Sequence, residues 1–148
     1  LVLDSIAQAN GGGTAGATAR AQAKALFDSW VVSFNTQLGV RASGNSAVAI
    51  VDFYAAFNDQ LANPAKYGLA NTTTPVCPAT GAGSDGLPNY NFQTCTAALL
   101  SSAPLIPAGA TANWWQTYLF SDGFHPTPFG HQLLADAVAT RLRQAGWL

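Results

Sequence analysis

Ala47-Val48-Ala49-Ile50-Val51-Asp52 is a continuous apolar run with β-branched residues, preceded by the breaker Ser43-Gly44-Asn45 and closed by a carboxylate. A strand buried on both faces reads this way, and strands so buried belong to parallel sheets covered by helices. The flanks supply helices. Upstream, Ala23, Phe27, Trp30, Val31, Phe34 and Leu38 recur at three-and-four spacing, so a helix is predicted over Thr14 to Leu38, with Gly39 as its stop and Trp30 and Phe34 in the core. Downstream, Phe53, Phe57 and Leu61 continue at helical spacing as far as Asn63-Pro64.

Farther out, residues 1–9 read as the tail of an element, with Leu1, Leu3 and Ile6 on a short apolar face, followed by a flexible loop at Asn10-Gly11-Gly12-Gly13. Tyr67 to Thr111 is rich in Gly, Pro, Thr, Asn and Ser with little periodicity, which predicts a long loop of the kind that carries function or specificity. Tyr118-Leu119-Phe120 resembles a second short strand. Thr127-Pro128 then supplies an N-cap and first-turn proline for a helix bearing Leu133, Leu134, Val138 and Leu142. Arg141 and Arg143 suit the negative pole of that helix, and Gly146 its end.

This order predicts an α/β fold, yet it holds two strands where helices packed on a parallel sheet usually need four or more. The expectation is that residues 1–148 form the C-terminal half of a larger α/β domain whose other strands lie on another polypeptide or were removed. The start Leu1-Val2-Leu3-Asp4 has no Met, basic region or cleavage pattern and reads as a processed, nicked or engineered end.

Composition narrows the function. Apolar residues make up 49% of the 148 residues and charged ones 9%, which excludes a disordered chain. Six Lys or Arg against seven Asp, with no basic run, argue against nucleic acid as a partner. The longest apolar stretches fall well short of the roughly 20 residues of a membrane-spanning helix.

Cys77 and Cys95, the only cysteines, share the polar loop. Either they remain thiols or they form a disulfide, which would contribute about 3 kcal/mol by restricting the unfolded chain and would imply an oxidising compartment. Zinc is not supported, since no C-x-x-C pair is present and neither His is near these cysteines in sequence.

The chemistry gathers in Ser121-Asp122-Gly123-Phe124-His125-Pro126-Thr127, between the second expected strand and the last helix. In a parallel α/β fold this is the carboxyl edge of the sheet, where ligands bind. Pro126 disfavours helical backbone at His125 and keeps it on the loop. Asp122 can reach one imidazole nitrogen, and a carboxylate on Nδ1–H leaves Nε2 as a proton acceptor for a serine nucleophile. Spacing alone also permits a structural Asp–His pair at a helix start.

The block Ser121-Asp122-Gly123-Phe124-His125-Pro126-Thr127-Pro128, with Gly130-His131 and an apolar helix after it, resembles the C-terminal Asp-x-x-His-Pro block of the GDSL, or SGNH, serine esterases and lipases. Asp52-Phe53-Tyr54, Phe57, Asn63-Pro64, Tyr67-Gly68, the Thr-rich stretch and Cys77 are similar to the second half of the secreted and autotransporter branches, so the likeness covers most of residues 14–148. It implies a three-layer α/β/α, flavodoxin-like fold and a Ser-His-Asp ester hydrolase that calls for no cofactor. By carry-over His125 is the general base and Asp122 its orienting acid. The family's nucleophile lies in an N-terminal Gly-Asp-Ser block, and its oxyanion donors, a Gly and an Asn, lie in two further blocks; none has a matching position here. Asp4-Ser5 lacks the Gly and preceding strand, and Gly83-Ser84-Asp85 has the wrong order. The expected partners are therefore the N-terminal half as a second chain, separated near the Gly11 to Gly13 loop, and an ester substrate, in a secreted, periplasmic or cell-surface setting. By the same resemblance, a membrane barrel can follow Leu148.

Other residues keep two readings. Asp52, at the end of the first expected strand, rivals Asp122 as partner of His125. His131 either joins His125 and Asp122 on a metal or is a packing group of the helix. Trp114 and Trp115 either line a substrate cleft or wedge the loop onto the core, and Phe124 is a further candidate substrate contact. The competing function is a non-catalytic module binding glycan or a cell surface through Trp114, Trp115 and the Cys77–Cys95 loop.

Overall fold

The computed structural model describes residues 2–84 and 86–148; the readings placed on Leu1 and Asp85 lie outside the described residues. The chain divides into two compact units, residues 1–52 with 83–87, and residues 53–82 with 88–148.

In the first unit, α1 (Val2–Ala9) and α2 (Gly13–Ala42) form a helical hairpin. Gly11, Gly12 and Gly13 all take positive φ, and Gly12 N–H donates to Ala7 O at 3.0 Å. The expected flexible loop is thus a tight turn, built from the residue type that enters the left-handed region without a Cβ clash. Gly16 lets the helices touch, since a Cβ there would sit 2.4 Å from Ala7 O. Arg20 Nε bridges back to Asp4 Oδ1 at 2.8 Å.

Two further expectations for this unit fail. The helix runs through Gly39 to Ala42, because one interior glycine costs only about 1 kcal/mol and helix-compatible residues follow it. Trp30 and Phe34 are not core: they are 58% and 67% exposed. Eight residues of α1 span roughly 12 Å, against roughly 45 Å for the thirty of α2, so most of α2 extends past α1, its one helical neighbour among the described residues of the unit.

Residues 47–51 form no strand. Asn45 turns the chain by accepting from Ala47 N–H at its side chain and from Val48 N–H at its carbonyl, and Val48 is exposed. A β-branched run becomes a strand only when a neighbour pairs with it in a ladder, and among the described residues the sheet ladder pairs residues 79–82 with 88–90.

The second unit begins with α3 (Phe53–Ala62), ended by Asn63-Pro64 as expected. The region expected to be one long loop contains the antiparallel pair β1 (Ala79–Ala82) and β2 (Pro88–Tyr90), a 3₁₀ turn at Phe92–Thr94 and the short α4 (Ala97–Leu100). A 3₁₀ turn at Trp114–Thr117 leads to the last helix, α5 (Pro128–Gln144). Tyr118 to Phe120 makes only single bridges, Tyr118 with Asn71 and Phe120 with Pro126, and so is not the second strand expected. Among the described residues the sheet is β1–β2 alone. The chain is therefore mixed helix with a small sheet, compatible with the α/β class, and the layered parallel sheet is not assembled within it.

The core of this unit surrounds a disulfide. Cys77 and Cys95 are bonded, which decides the alternative left open by the sequence. Val76, Cys77, Leu100 and Trp115 are buried together, with Tyr90, Cys95, Leu105, Trp114 and Tyr118 packed against them.

Candidate active site

The loop from Tyr118 to Thr127 is pinned at both ends by backbone bonds. Cys77 N–H donates to Ser121 O at 2.9 Å and Val76 N–H to Phe120 O at 3.1 Å, so the disulfide-bearing segment runs beside the entry to the loop. The loop closes on itself through Ser121 N–H to His125 O at 2.7 Å, Thr127 N–H to Leu119 O at 2.9 Å and Ser121 Oγ to Pro126 O at 3.1 Å. Leu119 is fully buried beneath it.

Thr127 joins the loop to α5. Its buried hydroxyl donates to Tyr118 O at 2.6 Å and accepts from Gly130 N–H at 3.0 Å, which satisfies one of the orphan donors of the helix start. Pro128 occupies the first turn. Gly130 permits the approach, since a Cβ there would lie 2.6 Å from Leu119 O and 2.8 Å from Pro126 Cβ.

This frame holds Asp122 and His125. Asp122 Oδ1 accepts the backbone N–H groups of Phe124 and His125, each at 2.6 Å, and Oδ2 lies 2.7 Å from His125 Nδ1. The side chain of Asp122 is 7% exposed and that of His125 69%. Burial pushes the Asp122 carboxyl up, but the backbone N–H groups and the imidazole more than offset this and hold it below its usual range. Its negative charge, together with burial as the larger cause, raises the hydroxyl of Tyr90.

An ionised carboxylate only accepts, so with Asp122 ionised and the imidazole neutral the Nδ1 nitrogen carries the proton and Nε2 the lone pair. The arrangement is an oriented base on an exposed ring. Among the described residues no serine hydroxyl is hydrogen-bonded to that ring.

The other candidates separate. The carboxylate partner of His125 is Asp122, the role for which Asp52 was the rival. His131 lies on the exposed side of α5, and among the described residues no three His, Cys, Asp or Glu side chains are placed to hold a metal ion. Trp115 is buried and donates Nε1–H to Ser101 Oγ at 2.9 Å; Trp114 donates to Leu100 O at 2.8 Å and packs edge-on against Tyr118. Both indoles thus spend their polar edges inside the unit, as wedges do. Phe124 is exposed next to His125.

Phe92 was not read from the sequence. Its ring meets that of His125 edge-on, with centroids 6.0 Å apart and planes at 87°. The signal was its place three residues before Cys95, since a disulfide to Cys77 carries this turn toward the loop.

With this geometry in hand, one sequence likeness is informative. The chain is 27% identical over 132 residues to a GDSL esterase/lipase of Arabidopsis thaliana. The match covers 89% of this chain and 31% of that protein, so the chain spans about a third of the length of the curated relative it matches. This supports a relationship to the GDSL esterases and lipases and nothing finer. No family model matches the chain. No solved structure matches it.

Proposed function

We propose that this chain carries the general-base half of a serine ester hydrolase of the GDSL type. The observation that carries the reading is Asp122 Oδ2 at 2.7 Å from Nδ1 of an exposed His125, in a chain similar to a GDSL esterase/lipase. His125 Nε2 takes the proton of a serine hydroxyl as that oxygen attacks the ester carbonyl. It then returns the proton to the leaving alcohol as the tetrahedral intermediate collapses to an acyl-enzyme, and the same base activates water for deacylation. Asp122 orients the imidazole and stabilises the imidazolium, with the two backbone N–H groups keeping the carboxylate ionised. Phe124, exposed beside the base, contacts the apolar part of the ester.

The serine and the oxyanion donors come, in this reading, from a second polypeptide, the N-terminal half of a three-layer α/β/α domain. Two observations support a missing complement: the exposed Trp30 and Phe34 on α2, and the partial coverage of the relative. The Cys77–Cys95 disulfide fits an oxidising setting, hence a secreted, periplasmic or cell-surface protein. No helix among the described residues is long and apolar enough to cross a membrane.

Intact-mass spectrometry after fluorophosphonate treatment tests the proposal. A second chain carrying the adduct, lost in His125→Ala while the circular dichroism is unchanged, is the expected result. Wild-type turnover in His125→Ala would refute the assignment of the base.

A further inference from the structure

We infer that Phe92 is a positioning residue for His125, and that the Cys77–Cys95 disulfide ties it to the backbone that carries Asp122. Among the described residues the imidazole has two directional contacts. Asp122 holds it at Nδ1, and the Phe92 ring meets it edge-on at 6.0 Å. A single hydrogen bond leaves a largely exposed ring free to pivot about that bond; a second contact on its flank removes the pivot. The rest of the geometry serves that contact.

Phe92 is 53% exposed, so it is held at the surface and not drawn into the core. It opens a 3₁₀ turn whose start is capped by Asn91 Oδ1, accepting from Gln93 N–H at 2.9 Å, and whose end is closed by Cys95 N–H donating to Phe92 O at 3.2 Å. Cys95 is bonded to Cys77, and Cys77 N–H donates to Ser121 O, one residue before Asp122. The two half-cystines thus serve the same imidazole from two sides. Val76, Leu100 and Trp115 bury the bridge, so its ends move together.

The consequence for catalysis rests on the ester-hydrolase reading above; the fixing of the imidazole does not. The test uses the full chain, labelled with nitrogen-15, and long-range proton–nitrogen spectra of the His125 ring. Wild type should show one ring environment with a protected Nδ1–H. Phe92→Ala should lose that protection and shift the ring signals, while the amides of Leu119 and Thr127 stay protected and report an intact loop. Phe92→Tyr should restore the wild-type pattern. Reducing the disulfide should reproduce the Phe92→Ala spectrum in wild type and add nothing to the variant.

An unchanged Nδ1–H and ring signal in Phe92→Ala would overturn the inference, as would an unaltered ring in a reduced protein whose loop amides remain protected. In a preparation that turns over esters, Phe92→Ala should lower kcat about tenfold or more with KM little changed. A raised KM at constant kcat would make Phe92 a substrate contact and overturn the positioning role. The expected ring spectra in a preparation whose second chain is present, yet takes no fluorophosphonate and turns over no ester, would sink the hydrolase reading and leave this one standing.

Discussion

Replacing Asp122 by Asn keeps the shape of the side chain and removes its charge, so it isolates what the carboxylate does. The Asn oxygen can still accept the two backbone N–H groups that Oδ1 accepts at 2.6 Å, but as neutral bonds. Charge-assisted bonds contribute about 1.5–3 kcal/mol each and neutral ones about 1, so the loss at these two bonds is roughly 2 kcal/mol. The second effect is on the imidazole. The Asn amide presents N–H where Oδ2 faced Nδ1, and two donors cannot meet; His125 must move its proton to Nε2, which is then no longer a base. In a Ser-His-Asp triad the same change costs about 10⁴-fold in turnover, the loss expected here if the proposed function holds. Urea unfolding and imidazole nitrogen spectra read both effects.

The pH dependence follows with its sign. The folded carboxyl sits below its unfolded value, so its stabilisation is present above the unfolded pKa and is lost as pH falls through the folded one. The stability gap between wild type and Asp122→Asn should therefore be full near neutrality and narrow in acid, below the usual carboxylate range. A gap that stays constant into acid, or an Nδ1–H tautomer retained in the variant, would refute the reasoning.

Gly130→Ala places a Cβ 2.6 Å from Leu119 O, so it should destabilise the chain by about 1–3 kcal/mol in urea melts. It should also loosen the Asp122–His125 loop, measured as faster exchange of the Thr127 amide. Gly16→Ala, with a Cβ 2.4 Å from Ala7 O, should separate α1 from α2 and lose helix signal in circular dichroism while leaving Leu119 and Thr127 protected. Reducing Cys77–Cys95 should cost about 3 kcal/mol by freeing its 18-residue separation in the unfolded chain, read as a lowered unfolding midpoint in reductant.

The Asp122–His125 pair was legible because its geometry is local. Asp122, the Gly123 turn, His125 and the Pro126 that follows lie within five residues, and Thr127-Pro128 starts the helix that fixes them. The helix stop at Asn63-Pro64 and the Thr127 cap were legible for the same reason, whereas the end of α2, beyond Gly39, and the short α4 were not. Strands were not. Ala47 to Val51 and Tyr118 to Phe120 have the composition of strands, but pairing is decided by a neighbour outside the run itself, and the residues that do pair, Ala79–Ala82 with Pro88–Tyr90, carry little apolar pattern. Trp30 and Phe34 have core spacing, yet spacing specifies which side of a helix is apolar and not what covers it.

The sequence by itself determined the Asp122–His125 pair, the Thr127 cap that anchors it and the helix that follows, because each depends on residues within a turn or two of one another. Tertiary structure alone decided that Cys77 and Cys95 bond, that Trp114 and Trp115 turn inward, and that Phe92 reaches the imidazole. Those contacts join residues fourteen or more positions apart, and which distant pairs meet is set by the packing of the whole unit.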